Sequence, residues 1–350
     1  MTFPLIKFTD IVQDKSGGNK KLPQEFFLID GQYPVVDQSK KFIAGYINDQ
    51  EYLVKSTGLP VVIFGDHTKA IKYVDFPFAM GADGVKVLKP KDECDTKYLY
   101  HYLRYAKIPD AGYSRHFKFL KELEIPLPPL AEQRRIASIL DQADELRQKR
   151  QQAIEKLDQL LQATFIDMFG DPVSNSKKWT EKTLGEVVVF NTGKLDSNAA
   201  EENGIYPFFT CSRTPFAINT YAFDIEALLL AGNNAAGQYW VKHYKGKFNA
   251  YQRTYVLTIK DSLCTYGYLR YVLQFLLGFL QRMSKGSSTK YLTLSILKPI
   301  KIPIPPLELQ RKFIQFYENI DSQNQLLMRN EIEFSKLFFT LQNQAFNGTL

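Results

Sequence analysis

The feature that most constrains this chain is a long amphipathic stretch from Ile125 to Gly170 that returns near the C-terminus. It opens with IPLPPLAEQRR, whose prolines interrupt a preceding strand and suit the first turn of a helix. Apolar or small residues then recur at steps of three and four, the pattern of a coiled-coil seam interrupted only by Arg150. The seam consists of Ile136, Ile139, Ala143, Leu146, Ala153, Leu157, Leu160, Thr164 and Met168. About 40 helical residues make a rod ~60 Å long.

A second copy of this stretch begins 177 positions later and runs from Ile302 to Gly348, opening with IPIPPLELQRK. Its seam consists of Phe313, Phe316, Ile320, Gln323, Leu327, Asn330, Phe334, Leu337, Leu341 and Ala345. A single amphipathic helix usually belongs to a core. Two matched helices, each closing a longer segment, instead indicate an antiparallel pair that spaces two other domains apart.

The segments before the two helices repeat as well. The matched pairs are Gly31–Pro34 with Gly204–Pro207, VVIFGD ending at Asp66 with LLLAGN ending at Asn233, Val87-Leu88 with Val256-Leu257, Tyr98–Leu103 with Tyr268–Leu273, and Phe117–Leu120 with Leu294–Leu297. Such self-similarity predicts a two-fold internal repeat. We therefore predict an α+β fold in which two similar mixed α/β domains are separated by two long antiparallel coiled-coil helices, with pseudo-two-fold symmetry.

The net charge of +7 is unevenly placed along the 350 residues. Residues 173–301 hold 16 Lys and Arg against 8 Asp and Glu, a net charge of +8. Residues 1–124 carry +2, whereas 125–172 and 302–350 carry −2 and −1. Positive charge concentrated in the non-helical segments favours a polyanionic partner. The charge alone does not identify that polyanion.

Motifs of common enzyme classes are absent from the sequence. There is no GxGxxG after a strand, no GxSxG, no HExxH, and no S-adenosylmethionine-binding or nuclease signature. Gly232 to Gly237 has the glycine spacing of a P-loop, but Gln238 and Tyr239 follow where Lys and Ser or Thr are required. These absences argue against the enzyme classes that the motifs mark, and the residues show no metal site.

The cysteines and the termini indicate an intracellular protein. Cys94, Cys211 and Cys264 lie far apart without CxxC spacing, which is typical of buried, reduced thiols in the cytoplasm. The N-terminus has no basic segment followed by an apolar one, and apolar runs such as Val61–Phe64 are too short to span a membrane. We expect a cytoplasmic location without membrane contact.

Loops in which glycine frees the backbone beside cationic, amide or hydroxyl side chains are the candidates for DNA contact. Arg reads guanine and Asn or Gln reads adenine through paired hydrogen bonds, whereas Lys mainly meets phosphate. The candidates in the first half are His67, Lys69, Lys72, Arg115, His116 and Lys118. The candidates in the second half are Arg213, Asn233, Asn234, Gln238, Arg253, Lys285, Ser287, Ser288 and Lys290.

The two helix openings, IPLPPLAEQRR and IPIPPLELQRK, and the order globule, helix, globule, helix resemble the DNA-specificity subunit of type I restriction-modification systems. The resemblance covers the whole chain. It implies that residues 1–124 and 173–301 are target recognition domains, each reading one half of a bipartite double-stranded DNA target. It also implies that 125–172 and 302–350 are the central and C-terminal conserved helices, which fix the gap between the half-sites.

The same resemblance implies a non-catalytic chain without a cofactor of its own, and it implies the partners. The chain would recruit two methylation subunits, which bind S-adenosylmethionine, and in the full complex restriction subunits that use ATP and Mg²⁺. Two other interpretations stay open at this point: a two-domain coiled-coil scaffold that binds no DNA, and an enzyme with an unrecognised site in one globule. Sequence-specific DNA binding together with a methylation subunit distinguishes them.

Overall fold

The computed structural model describes residues 3–55, 58–82, 84–110, 112, 114–235, 237–260 and 262–350, with only the backbone of Ile332. The chain divides into two compact units. Unit 1 comprises Met1–Gln152 and Met328–Leu350, and unit 2 comprises Ala153–Leu327.

The first part of the chain contains ten strands and four α-helices among the described residues. In chain order they are β1 (Leu5–Lys7), α1 (Phe8–Ile11), β2 (Val12–Asp14), β3 (Lys21–Leu22), β4 (Tyr33–Val36), β5 (Gly45–Ile47), β6 (Val61–Gly65), β7 (Ile71–Val74), β8 (Ala79–Gly81), β9 (Val85–Pro90), α2 (Thr96–Tyr105), α3 (Phe117–Leu120), β10 (Glu124–Pro126) and α4 (Leu130–Phe169). Two 3₁₀ turns, Gln24–Phe26 and Gln50–Tyr52, lie on either side of β4 and β5.

The rest of the chain repeats this order. Its elements are β11 (Glu181–Thr183), α5 (Leu184–Val187), β12 (Val188–Thr192), a 3₁₀ turn (Ser197–Ala199), β13 (Tyr206–Phe209), β14 (Phe216–Ile218), β15 (Phe223–Ala231), β16 (Asn233–Asn234), β17 (Val241–Ala250), β18 (Thr254–Ile259), α6 (Tyr266–Met283), β19 (Lys290–Tyr291), α7 (Leu294–Leu297), β20 (Lys301–Pro303) and α8 (Leu307–Asn347).

Unit 1 is built around β6, which is buried along its whole length. It lies in a four-stranded sheet of order β2-β9-β6-β7, beside a second sheet of order β3-β8-β4-β5 and the antiparallel pair β1-β10. Side chains alternate between the two faces of a strand. Val62 and Phe64 therefore enter the core beneath α2, whereas Val61 and Ile63 pack on the opposite face.

Unit 2 has the same plan with a single larger sheet of order β12-β18-β15-β17-β13-β14. The central strand is β15, from which Leu228 and Leu230 enter the core beneath α6 and Ala227 and Leu229 pack on the opposite face. The pair β11-β20 corresponds to β1-β10. The repetition of this plan in both units confirms the predicted α+β class and internal repeat.

The repeat is real, but one sequence match is wrong by one residue. Matching VVIFGD to LLLAGN aligns Val61 with Leu228, two residues whose side chains lie on opposite faces of their sheets. Ile63 pairs with Val87 just as Leu229 pairs with Val256, so the strand register equates Ile63 with Leu229. Since a slip of one residue exchanges the faces of a strand, only the structure defines this alignment. Asp66 accordingly corresponds to Gly232.

The shared PPLxxQ segment has a structural purpose in each unit. Gln133 is fully buried, and its side-chain oxygen accepts from Asp95 N at 2.8 Å while its amide donates to the carbonyls of Glu93 and Pro128. Gln310 repeats this with Thr265 N at 2.9 Å and the carbonyls of Leu263 and Pro305. Asp95 and Thr265 are the N-caps of α2 and α6, so each glutamine ties the start of one helix to the start of another.

Within each unit, the parts of α4 and α8 run antiparallel. In unit 1, Arg147 lies over the ring of Phe338 and Arg150 over that of Phe334, so the contacts advance along α4 and retreat along α8. The centroid of Phe334 is 4.9 Å from the Arg150 guanidinium, which places this charged seam position against an aromatic face. In unit 2, Asn324 donates to Asp158 at 3.2 Å and the ring centroid of Phe313 lies 5.3 Å from that of Phe165, so the contacts again run in opposite directions.

The predicted seam has the wrong phase at four positions. Leu146, Leu160 and Leu337 are 44%, 46% and 66% exposed, and Gln323 is exposed as well. Ile136 is buried as predicted, but the buried stripe also contains Leu140, Leu161, Phe165 and Phe338, which the seam did not include. Each helix packs against the core of its unit as well as against the other helix, so the core sets the rotation of the helix about its axis.

Candidate nucleic-acid interface

The first group of candidate residues lies in the turn that joins β6 to β7. Gly65 permits this turn, because a Cβ there would lie 2.3 Å from the hydroxyl oxygen of Thr68. Lys69 takes a positive φ of 59°, and its ammonium pairs with Asp110 at 3.0 Å. His67 is half-buried, and its backbone N–H donates to the side chain of Gln38 at 3.2 Å. The turn therefore displays a lysine whose charge is partly compensated.

Asp66 connects this turn to the segment that precedes α3. Its carbonyl accepts from the backbone N–H of His116 at 2.8 Å, and its carboxylate accepts from Phe117 N at 2.7 Å. The imidazole of His116 is buried, with Nδ1 3.0 Å from the Asp66 carbonyl oxygen. Arg115 and Lys118, on either side of this connection, are exposed. Sequence reasoning missed Asp66, although a buried acidic residue directly after a strand is a usable signal.

A cavity of about 450 Å³ lies beside this connection. Lys21, Lys86 and Arg115 line it together with Asp14 and Asp66. The ammonium of Lys86 donates to Asp14 at 2.8 Å. The glycine-lysine segment SGGNKK, residues 16–21, reaches this cavity through Ser16, Gly17 and Lys21, and sequence reasoning missed it as a candidate.

The environment of Lys72 differs from that of the other candidates. Its side chain is 5% exposed, and its ammonium donates to the carbonyls of Asp37 at 2.8 Å and Lys41 at 2.6 Å. Burial lowers the pKa of this ammonium. DNA contact by Lys72 or by the buried His116 stays a prediction, but both side chains are engaged within unit 1.

In unit 2 the structure brings the two predicted loops together. β16 and β19 pair antiparallel, with Asn233 opposite Tyr291 and Asn234 opposite Lys290. Lys285 exchanges backbone hydrogen bonds with Tyr291, closing the second loop on itself. Gly286 has a φ of 98°, which favours glycine at this tight turn. Ala236, within the first loop, lies outside the described residues.

The side chains around this pair of loops are mostly accessible. Asn233 and Asn234 are both half-buried, and Asn234 Oδ1 accepts from Gln238 N at 3.3 Å. The carbonyl of Arg253 accepts from Gly232 N at 2.8 Å, and this contact holds the first loop against β18. The exposed candidates of unit 2 are Arg213, Gln238, Arg253, Lys285, Ser287 and Ser288.

Arg213 lies on the loop between β13 and β14, where the Cys211 thiol donates to the Arg253 carbonyl at 3.4 Å. The Arg213 guanidinium is 5.4 Å from the centroid of the Trp240 ring, so the side chain is held while its N–H groups stay available. Both residues line a cleft of about 660 Å³ together with Lys242 and Arg270. The cleft combines cations with an aromatic face, which suits an anionic, partly planar ligand such as nucleic acid.

One connection recurs in both units. His116 N donates to the Asp66 carbonyl in unit 1, and Leu292 N donates to the Gly232 carbonyl in unit 2, both at 2.8 Å. In each case the loop that follows the central strand is fixed to the segment preceding a four-residue helix. The candidate residues thus gather at matched places in the two units.

Potential metal ligands and thiols are spread over the described residues. No group of three or more His, Cys, Asp or Glu is placed to hold a metal ion in that part of the chain. Cys94 and Cys264 are buried as predicted, and burial raises the pKa of the Cys94 thiol to about 12; Cys211 is only half-buried. Within the same ranges, every helix is too short or too polar to cross a membrane.

Both halves of the sequence match one family model, that of the type I restriction modification DNA specificity domain, over residues 6–156 and 176–333. The chain belongs to this specificity family. This match confirms the resemblance that was based on the two helix openings. It also accounts for the internal repeat, because the same domain model matches twice.

Curated relatives in the specificity family match parts of the chain. The type I restriction enzyme EcoDI specificity subunit of Escherichia coli is 42% identical over 127 residues, covering 36% of this chain and 28% of that protein. The EcoR124I/EcoR124II specificity subunit of the same organism is 30% identical over 200 residues, covering 51% and 47%. The chain thus spans less than half the length of these two relatives.

Solved structures show the fold of the specificity family. The type I restriction-modification system S subunit from M. genitalium has a TM-score of 0.68 at 18% identity, covering 99% of this chain and 96% of that one. A chain from a structure on complex assembly and conformational transition of the type I R-M system has a TM-score of 0.54 at 18% identity, covering 100% and 98%. At these identities the likeness supports the fold alone.

Proposed function

We propose that this member of the specificity family recognises a bipartite double-stranded DNA target, with each unit reading one half-site. The observation that carries the proposal is the matched connection at Asp66 and Gly232, beside which both units gather cationic and amide side chains. The net charge of +8 over residues 173–301 favours a polyanion at unit 2. Residues 1–124 and 173–301 are then the target recognition domains.

In this proposal the chain is a non-catalytic subunit that recruits two methylation subunits and, in the full complex, restriction subunits. S-adenosylmethionine, ATP and Mg²⁺ would belong to those partners. Support comes from relatives named as specificity subunits of type I restriction enzymes and from the related structure that concerns type I complex assembly. Because the proposed target is cellular DNA, we infer a cytoplasmic location.

Methylome sequencing tests the proposal directly. Cells that express the chain with its methylation subunit should methylate a motif of two specified half-sites separated by an unspecified gap. Cells that express the methylation subunit alone should not methylate it. Absence of methylation, or a single uninterrupted motif, overturns the proposal in favour of a scaffold or another activity.

Replacing Lys285 and Lys290 by Ala should weaken DNA binding on all sequences. Both lysines lie on the loop closed by β19, where an ammonium can meet phosphate. A plot of log K against log salt has a negative slope, and each lost phosphate contact should make that slope less steep by about 0.9. Titrations at several salt concentrations measure this slope. Lys301→Ala is the control, since its ammonium pairs with Glu181 at 3.0 Å; an unchanged slope in the double variant contradicts the prediction.

Asn233→Ala should relax sequence preference in only one half of the target. A paired amide contact to a base is worth about 1–3 kcal/mol of discrimination, so the preference at one position should fall about tenfold. Competition binding with single-base variants of the methylated motif measures the preference. Asn219→Ala is a matched control, because the side-chain amide of Asn219 donates to the Glu201 carboxylate within unit 2. Equal loss of affinity for every sequence shows that Asn233 reads no base.

A further inference from the structure

A buried lysine holds the loop between β4 and β5 in unit 1. Lys72 lies on β7 opposite Ile63 of the central strand. Besides its bonds to the carbonyls of Asp37 and Lys41, its ammonium is 3.5 Å from the Asp37 carboxylate. These groups belong to the loop of residues 37–44, so a single cation draws two points of that loop together.

Unit 2 contains the equivalent lysine. Lys242 lies on β17 opposite Leu229, and Leu229 corresponds to Ile63 in the strand register. Its ammonium donates at 2.6 Å to the carbonyl of Ser212, in the loop of residues 210–215 between β13 and β14. The two halves have diverged around these positions, yet both place a lysine amine on the loop backbone. Burial lowers the pKa of both amines.

Each anchored loop borders the candidate interface of its unit. In unit 1, the Gln38 carbonyl accepts from the Thr68 hydroxyl, and the Gln38 side chain accepts from His67 N, so the loop contacts the turn after β6. Lys40 is exposed on this loop. In unit 2, the loop carries Arg213, which stacks on Trp240.

Stability alone gives a poor account of these lysines. Burying an ammonium costs free energy unless it is paired. A protein with an apolar side chain at such a site is often as stable or more stable. A compact ammonium has three donors, which suits converging backbone carbonyls. The anchored loops therefore gain a fixed backbone position at some cost to folding.

We propose that Lys72 and Lys242 are positioning residues for sequence readout, each fixing a DNA-contacting loop, residues 37–44 in unit 1 and 210–215 in unit 2. The inference rests on the proposed function. It adds the β4–β5 loop, with Lys40, to the recognition surface of unit 1. It also gives Arg213 a defined support in unit 2.

The test is the methylation motif of cells that express the full-length variant with its methylation subunit. Lys72→Met keeps the apolar stem and removes the donors, so methylation of sites with a mismatch in one half-site should rise about tenfold relative to the intact motif. Lys242→Met should do the same for the other half-site only. Equal loss of methylation at every site, with unchanged preference between the bases of each half-site, would overturn the proposal, because lost stability alone gives that result.

Controls remove other lysine-to-carbonyl bonds. Lys89 donates to Pro60 O at 3.0 Å and Lys260 to Gly185 O at 2.7 Å, and Met at either position should leave the motif unchanged. If the Met variants at Lys72 or Lys242 fail to fold, Lys40→Ala and Arg213→Ala test the loops, since both side chains are exposed. Each should weaken or relax one half-site.

The outcomes separate the inference from the function on which it rests. A wild-type chain that gives no bipartite motif overturns the proposed function and the inference with it. A wild-type bipartite motif that stays unchanged in the folded Met variants, or in both loop variants, overturns the inference alone. Relaxation of the same half-site by Lys72→Met and Lys242→Met also overturns it.

Discussion

A chain with seven residues added to each long helix should recognise the same two half-sites across a gap about three base pairs longer. Seven helical residues add ~10 Å. Along B-DNA, ~10 Å corresponds to about three base pairs at ~3.4 Å each. Both units keep their own base contacts, so the half-site sequences should not change.

The structure suggests where to place the insertions. The unit boundary falls between Gln152 and Ala153 in α4 and between Leu327 and Met328 in α8. Helix contacts such as Arg150 with Phe334 and Asp158 with Asn324 then stay within their units and are left intact. A heptad nearly preserves the phase of the apolar stripe, so the helices should still pack.

The methylation motif of cells that carry the lengthened chain and its methylation subunit is the measurement. A longer gap also rotates one half-site by about 100° around the duplex at ~10.5 base pairs per turn, so we expect slower methylation. Five-residue insertions are the matched control, because they rotate the stripe by about 140° and should abolish methylation. Methylation at the original spacing would show that the helices do not set the gap.

The long helices and the repeat could be predicted because their signals are local. Prolines before a helix and apolar residues at steps of three and four are set by residues close together in sequence. Accordingly, α4 and α8 begin five residues after Ile125 and Ile302. The rotation of each helix could not be predicted. Leu160 and Leu161 both fit an apolar stripe, and the core of unit 2 selects Leu161.

The candidate interface was predictable as loops but less so as individual side chains. Glycine positions located the turn after β6 and the Lys285 loop. Which side chain faces outward depends on strand register, where neighbours along the chain lie on opposite faces. Lys72 is a cation on a short strand, a pattern typical of an exposed residue, yet the loop of residues 37–44 covers it. That contact joins residues about 30 positions apart and leaves no local trace.

The pairing of β16 with β19 was not predictable for the same reason. Asn234 and Lys290 are distant in sequence, and each belongs to a strand of two residues. Two-residue strands carry no periodicity. The available signal was that each loop has a counterpart at the same place in the other half of the repeat. This signal indicated the two segments that contain β16 and β19.

Replacing either buried glutamine of the PPLxxQ segments by Leu should strongly destabilise the unit that contains it. Gln133→Leu leaves Asp95 N and the carbonyls of Glu93 and Pro128 without their partner. An unsatisfied buried group costs about 1–3 kcal/mol, so we expect a loss of about 3–5 kcal/mol in the free energy of unfolding. Domains of this kind are stable by about 5–15 kcal/mol in total. Gln310→Leu should have the same effect in unit 2.

Urea unfolding followed by hydrogen exchange measures the loss and assigns it to a unit. Gln133→Leu should raise exchange of the α2 amides, and Gln310→Leu that of the α6 amides, because each glutamine accepts from the N-cap of that helix. Gln142→Leu, on the exposed face of α4, should change stability by less than about 0.5 kcal/mol. A similarly small change for Gln133→Leu would show that these buried hydrogen bonds contribute little to the stability of the unit. A large local loss in each unit would show that the segment stabilises its unit by joining the first turn of the long helix to the N-cap of the helix beside it.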